Sequence, residues 1–135
     1  MLTVLALLVA MMLEGAVQEL RMGRGALAAA RAQSAAGSAL ADLLNARPDS
    51  AMLARPRGAL TTAVVSPPGA ETTAVALQAL GAGMIRATAS TRIWSGGVRA
   101  DAASMVFARI AQDSAGPPGS LRYYRLPGWW WVQLP

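Results

Sequence analysis

Residues 1–45 constrain this chain more than any other stretch. Met1 to Leu13 read MLTVLALLVAMML, with Thr3 the only polar side chain. From Glu14 onward Gln18, Glu19, Arg21, Arg24 and Arg31 enter among Ala and Leu. The first proline is Pro48, so nothing earlier forces a break, and one helix ending near Asn45 is expected. At 1.5 Å per residue such a helix reaches roughly 65 Å. That exceeds the diameter of a domain built from the remaining residues. The helix must project, into a membrane or into a bundle of its own kind.

The greasy end of this helix admits three readings. It is shorter than the roughly 20 residues that span a bilayer, and its length fits the apolar core of a cleaved signal peptide. No basic residue precedes it, however, and no Ala-x-Ala site followed by a loop comes after it. A buried soluble helix is the second reading, but this segment is apolar on all sides and the rest of the chain is too small to enclose it. The favoured reading is a membrane anchor at the start of a longer helix, with a missing short leader before Met1 as a variant of it. Its anchoring and assembly residues are Leu2, Val4, Leu5, Leu7, Leu8, Val9, Met11, Met12 and Leu13, continued by Glu14 and Val17. A carboxylate such as Glu14 is costly there unless it is paired or near an interface.

Further along, Leu20, Leu27, Leu40 and Leu44 lie close to one stripe at helical spacings, and Arg21, Arg24 and Arg31 lie on another. Gly23, Gly25 and the alanines around them thin the rod and allow close approach of a neighbouring backbone. The glycines also weaken the helix, so a local bend or unwinding is expected near Gly23–Gly25.

Composition narrows the function. The chain has 135 residues, enough for one domain with a modest core, and no Cys or His. Thiol nucleophiles, imidazole bases, disulfides and the best transition-metal ligands are therefore all absent. The seven acids show no paired spacing, and no Gly-x-Ser-x-Gly elbow occurs. No enzyme, cofactor, metal or small-molecule substrate is expected. Net charge is +5, carried by 12 arginines and no lysine, and those arginines are dispersed. A nucleic-acid binder concentrates positive charge on one face, so no nucleic-acid partner is expected either.

After a Pro- and Arg-rich linker at 46–58, residues 59–135 read as a small antiparallel β domain. Leu60 to Val65 is a short β-prone run, and Thr73 to Leu80 is ambiguous between strand and helix. Met84–Trp94 and Val98–Ile110 alternate clearly, joined by a turn centred on Gly96-Gly97. That turn pairs Arg92 with Asp101, Trp94 with Arg99, Ile93 with Ala100, Ala87 with Val106 and Ile85 with Ala108. The first two pairs face outward, as an ion pair and a cation–π contact. The inner face is mostly small and can accept a helix, with Leu27, Leu40, Leu43 and Leu44 meeting Ile85, Ile93 and Val106. Two more strands are expected at Leu121–Leu126 and Trp129–Leu134. The rings of Trp129, Trp130 and Trp131 either cap the core or offer a partner or membrane-interface surface. The fold class is thus α+β: a long N-terminal helix, apolar then amphipathic, packed on a small antiparallel sheet.

This layout resembles the type IV pilin-like proteins. The stretch LALLVAMMLEGAVQELRMGRGALAAARAQSAAGSALADLL looks like the first helix of minor pilins and of type II secretion pseudopilins, and GMIRATASTRIWSGGVRADAASMVFARI is similar to their sheet hairpins. The family's basic leader and the Gly before its processing site are missing, the acid at its fifth mature residue is not identifiable, and Glu14 lies too deep in the helix to be carried over to it. The resemblance implies a non-catalytic subunit of a pilus or pseudopilus. Its helix would lie in bacterial inner-membrane lipid and then pack with other pilin-like subunits. Its β domain would stay on the periplasmic or extracellular side. The alternative is a signal-anchored or secreted envelope protein whose β domain binds a partner unrelated to pili; a small hydrolase is a distant third.

Overall fold

The computed structural model describes residues 2–65, 71–126 and 132–134. The chain forms an α+β fold in two layers. Helix α1 runs Leu2–Asn45 and lies across one face of a sheet made of β1 (Leu60–Val65), β2 (Glu71–Gly81), β3 (Met84–Ser95), β4 (Val98–Gln112), β5 (Leu121–Arg125) and β6 (Val132–Leu134). Strand order is β1-β2-β3-β4-β5, all antiparallel, and β6 pairs β4 as well. Strand β5 covers residues 108–112 of β4 and β6 covers residues 103–105, so two segments share one long edge.

The β3–β4 hairpin has the register that its turn dictates. Ile85↔Ala108, Ala87↔Val106, Arg92↔Asp101, Ile93↔Ala100 and Trp94↔Arg99 all pair, around Gly96 (φ 57°) and Gly97 (φ 77°). Positive φ at both central positions is what a tight hairpin turn requires, and glycine reaches it without a Cβ penalty. The ambiguous stretch before it is strand β2, templated along its length by β3.

The helix passes Gly23–Gly25 without interruption, so the expected bend or unwinding is not there as a break in the helix. The Ala- and Leu-rich helix on either side outweighs a penalty of about 1 kcal/mol per glycine. Beyond Asn45 the chain turns, with the Ala46 amide donating to the Asp42 and Leu43 carbonyls. The linker is part of the body. A 3-10 turn at Ser50–Met52, capped by the Asp49 carboxylate, places Met52 in a core cluster with Ile85, Ala108, Ile110 and Tyr123. The Arg55 guanidinium donates to the Thr61 hydroxyl and ties this segment to β1.

Helix and sheet meet through alanine. Ala28, Ala32, Ala36 and Leu40, four residues apart, are the buried stripe of α1. Ala28 and Ala32 lie against Ile93 and Ala100, and Ala36 and Leu40 lie against Val75, Ala87, Ala89 and Val106. Leu43 and Leu44 are partly buried at the margin. Leu27, expected to face the sheet, is 53% exposed and points elsewhere. The physical reason is shape: near the Gly96-Gly97 end an alanine-lined helix face meets the sheet at close range, and Leu27 is turned aside while Leu40 stays in the core. Within this interface the Gln33 amide donates to the Ser104 hydroxyl at 3.1 Å, and the Thr73 and Thr91 hydroxyls bond each other at 2.9 Å.

Candidate assembly surface

The packing stripe fixes the direction of the rest of the helix. Ala28 and Ala32 contact the end of the sheet that carries the Gly96-Gly97 turn, and the buried positions run from there toward Ile85 and Ala108. The N-terminal half of α1 therefore leaves the body beyond that hairpin turn. Every residue from 4 to 24 is exposed. Val4, Leu5, Leu7, Leu8, Val9, Met11, Met12 and Leu13 expose between 51% and 73% of their surface, and Val17 exposes 40%. A contiguous apolar surface of this kind marks a site of association with protein or lipid. The side chain of Leu2 lies outside what the structure describes. No described helix is long and apolar enough to cross a membrane.

Two stripes divide the projecting rod. Glu14, Gln18 and Arg21, spaced by four and three, continue the line of Ala28 and Ala32 beyond the body, so the side that runs on from the sheet is polar over residues 14–21. Leu13, Leu20 and Leu27, spaced by seven, lie on a face turned well away from that line and are 68%, 62% and 53% exposed. Residues seven apart nearly superpose along a helix, so these leucines form a seam of the type that packs against another helix. The single leucine stripe expected from the sequence is split: Leu20 and Leu27 face away from the body, while Leu40 is fully buried in it.

On the sheet, Ile85, Ile93 and Val106 are buried beneath the helix. Trp129, Trp130 and Trp131 lie outside the described residues. Between α1 and the β1–β2 edge an apolar groove of about 230 Å³ is lined by Ala39, Leu43, Thr61, Ala63, Val75 and Leu77, with Asp42 beside it. On the opposite face Arg92 and Arg99 both donate to Asp101, at 2.9 and 2.7 Å. Those two hydrogen bonds hold the Asp101 carboxyl below its ordinary pKa. Burial, and secondarily the Asp49 charge, push the Tyr123 phenol up. No cluster of three or more metal-ligating side chains occurs among the described residues. No protein-family model, curated protein or solved structure matches this chain.

Proposed function

We propose that this protein is a non-catalytic assembly subunit of the type IV pilin kind, a minor pilin or pseudopilin that joins similar subunits through its projecting helix. One observation carries the reading: the N-terminal half of α1 makes no packed contact with its own body and bears an apolar tip and an exposed leucine seam. Ordering so long a rod in water without a partner buries nothing, and helices of this kind gain their stability from packing. Parallel neighbours offering the same seam supply that packing, and the tip finds lipid before assembly. Its 13 residues would reach about 20 Å into a hydrocarbon core of about 30 Å, placing Glu14 within the bilayer unless the lipid thins around it. Contact with a neighbour's arginine, or local thinning, relieves that cost. The cellular site that follows is the bacterial inner membrane, with the sheet on its outer side.

The test replaces Leu13, Leu20 and Leu27 together by Gln in the full chain and follows assembly by sedimentation in nonionic detergent and by shearing of cell-surface filaments. The wild type is expected in higher-order species and the variant as a monomer with an unchanged melting temperature. A variant that assembles as the wild type does would overturn the reading. So would a mature protein whose first residue lies near Arg21, which is the outcome expected of a secreted envelope protein.

A further inference from the structure

The fold gathers charge that the sequence scatters. Arg86, Arg92, Arg99, Arg109 and Arg122 alternate along β3, β4 and β5 with side chains on the helix-facing side, so strand pairing brings all five to the opposite face. Asp101 is the one acid among them on the described strands, and Arg92 and Arg99 already hold it. Arg86, Arg109 and Arg122 are exposed and form no ion pair among the described residues. Arg86 pairs Phe107, two residues before Arg109, and Arg109 pairs Tyr124, two residues after Arg122. The three therefore step diagonally across neighbouring strands at intervals of roughly 7–8 Å. In α1 three arginines offset three acids, so the excess of +5 belongs to the rest of the chain.

A second pattern overlies the first. Trp94, Phe107 and Tyr124 are the aromatic residues of this face among the described residues, and each lies directly opposite an arginine: Arg99, Arg86 and Arg109 in turn. Trp94 is 56% exposed and Tyr124 38%. Arg–aromatic pairs across a sheet contribute to its stability, but stability alone does not call for three arginines without an acid beside them. Small side chains between the strands (Ala74, Ser90 and Ala103, with Thr72 at the rim) leave an open concavity of about 450 Å³ next to Arg92.

We propose that this sheet face binds single-stranded nucleic acid, with guanidinium groups on successive phosphates and the exposed rings beneath bases. Interleaved cations and aromatic platforms are what an unpaired strand requires. Reading a duplex calls instead for an element that enters a groove, and the described helical elements, α1 and the 3-10 turn, both pack on the other face of the sheet. The proposal stands apart from the assembly reading. A helix-inward arrangement would simply leave this face outward.

The experiment measures anisotropy of a labelled oligothymidylate of about 20 nucleotides, long enough for one folded domain, titrated with the full chain in nonionic detergent across a salt series. The triple variant Arg86→Gln, Arg109→Gln, Arg122→Gln is expected to bind at least about tenfold more weakly and to flatten the log–log salt slope by about two, since each phosphate contact contributes roughly 0.7 on a single strand. Tyr124→Ala is expected to weaken binding about fivefold or more without changing that slope. Changing Arg21, Arg24 and Arg31 to Gln in the helix should leave binding unaltered. Circular dichroism confirms folding; if the triple variant melts early, Arg109→Gln alone is read in its place, with a slope change of about 0.7. Absence of binding at low salt overturns the proposal, as does an equal loss in the helix variant. Polyglutamate or duplex DNA competing as well as the single strand overturns it too, and points to an acidic protein or a duplex as the partner.

Discussion

Asp101 is an exposed carboxylate whose ionisation the fold changes. Both of its oxygens accept from arginine, so folding favours its ionised form and its pKa lies below the ordinary carboxylate value. A depressed carboxyl pKa contributes stability that is present above the unfolded-state pKa and lost as pH falls through the folded one. The Asp101→Asn variant is therefore expected to melt slightly below the wild type at neutral pH, with the gap closing as the solution is acidified below about pH 4, the usual aspartate value. Paired melting curves across that range check it, and a gap that widens toward acid would contradict it. The effect is small because both partners of each pair are about half exposed and screened by water. The same carboxylate also restrains two of the five arginines on its face, which leaves Arg86, Arg109 and Arg122 as the groups available to a ligand.

At the scale of elements, the seam between α1 and the sheet decides stability. Ala36 is fully buried between Leu40 and the alanines of β3. Ala36→Leu puts an isobutyl group where a methyl now fits and is expected to destabilise by about 1–3 kcal/mol. Leu27→Ala on the exposed side should stay within about 0.5 kcal/mol of the wild type. Denaturant midpoints of the two variants decide whether alanine or leucine carries the docking. The hairpin was legible in the sequence because three independent signals, the Gly96-Gly97 turn, the alternation on either side and the Arg92–Asp101 charges, agree on one register. Strand β2 was not: its run of Ala, Leu and Gln has no strong intrinsic preference, and its neighbour β3 sets its conformation. The helix seat was legible in part: Leu40, Leu43 and Leu44 pack on the sheet as their hydrophobicity suggests, but Leu27 does not, and Ala28, Ala32 and Ala36 carry the contact there because small side chains on both surfaces set the distance. Met52 lies in a segment with no period at all, so its place in the core follows only from the path of the linker. The cationic face was invisible for a related reason: arginines thirteen or more positions apart in sequence become diagonal neighbours only once β3, β4 and β5 are paired.

For the whole molecule, the packed core is built without the projecting half of α1, whose side chains are exposed from residue 4 to residue 24. Because residues 4–24 are exposed throughout, a chain beginning near Ala26 loses no packed side chain from its core. Such a truncation is expected to keep the melting temperature of the full chain to within a few degrees, as surface changes do, and to run as a monomer on gel filtration without detergent. A truncated body that fails to fold would show that the projecting half supports the sheet in a way its exposure does not reveal.

The divided margin of β4 has a consequence of its own. A row of unpaired strand amides and carbonyls is a template on which further chains can stack, and unbounded stacking needs an intact template on both flanks of the sheet. One flank here is the uncharged run Leu60–Val65, and the other carries two short segments, β5 and β6, that pair with different parts of β4. Lateral fusion through the strands would meet one continuous flank and one composed of two short segments, an arrangement that favours pairing of two bodies over open-ended stacking.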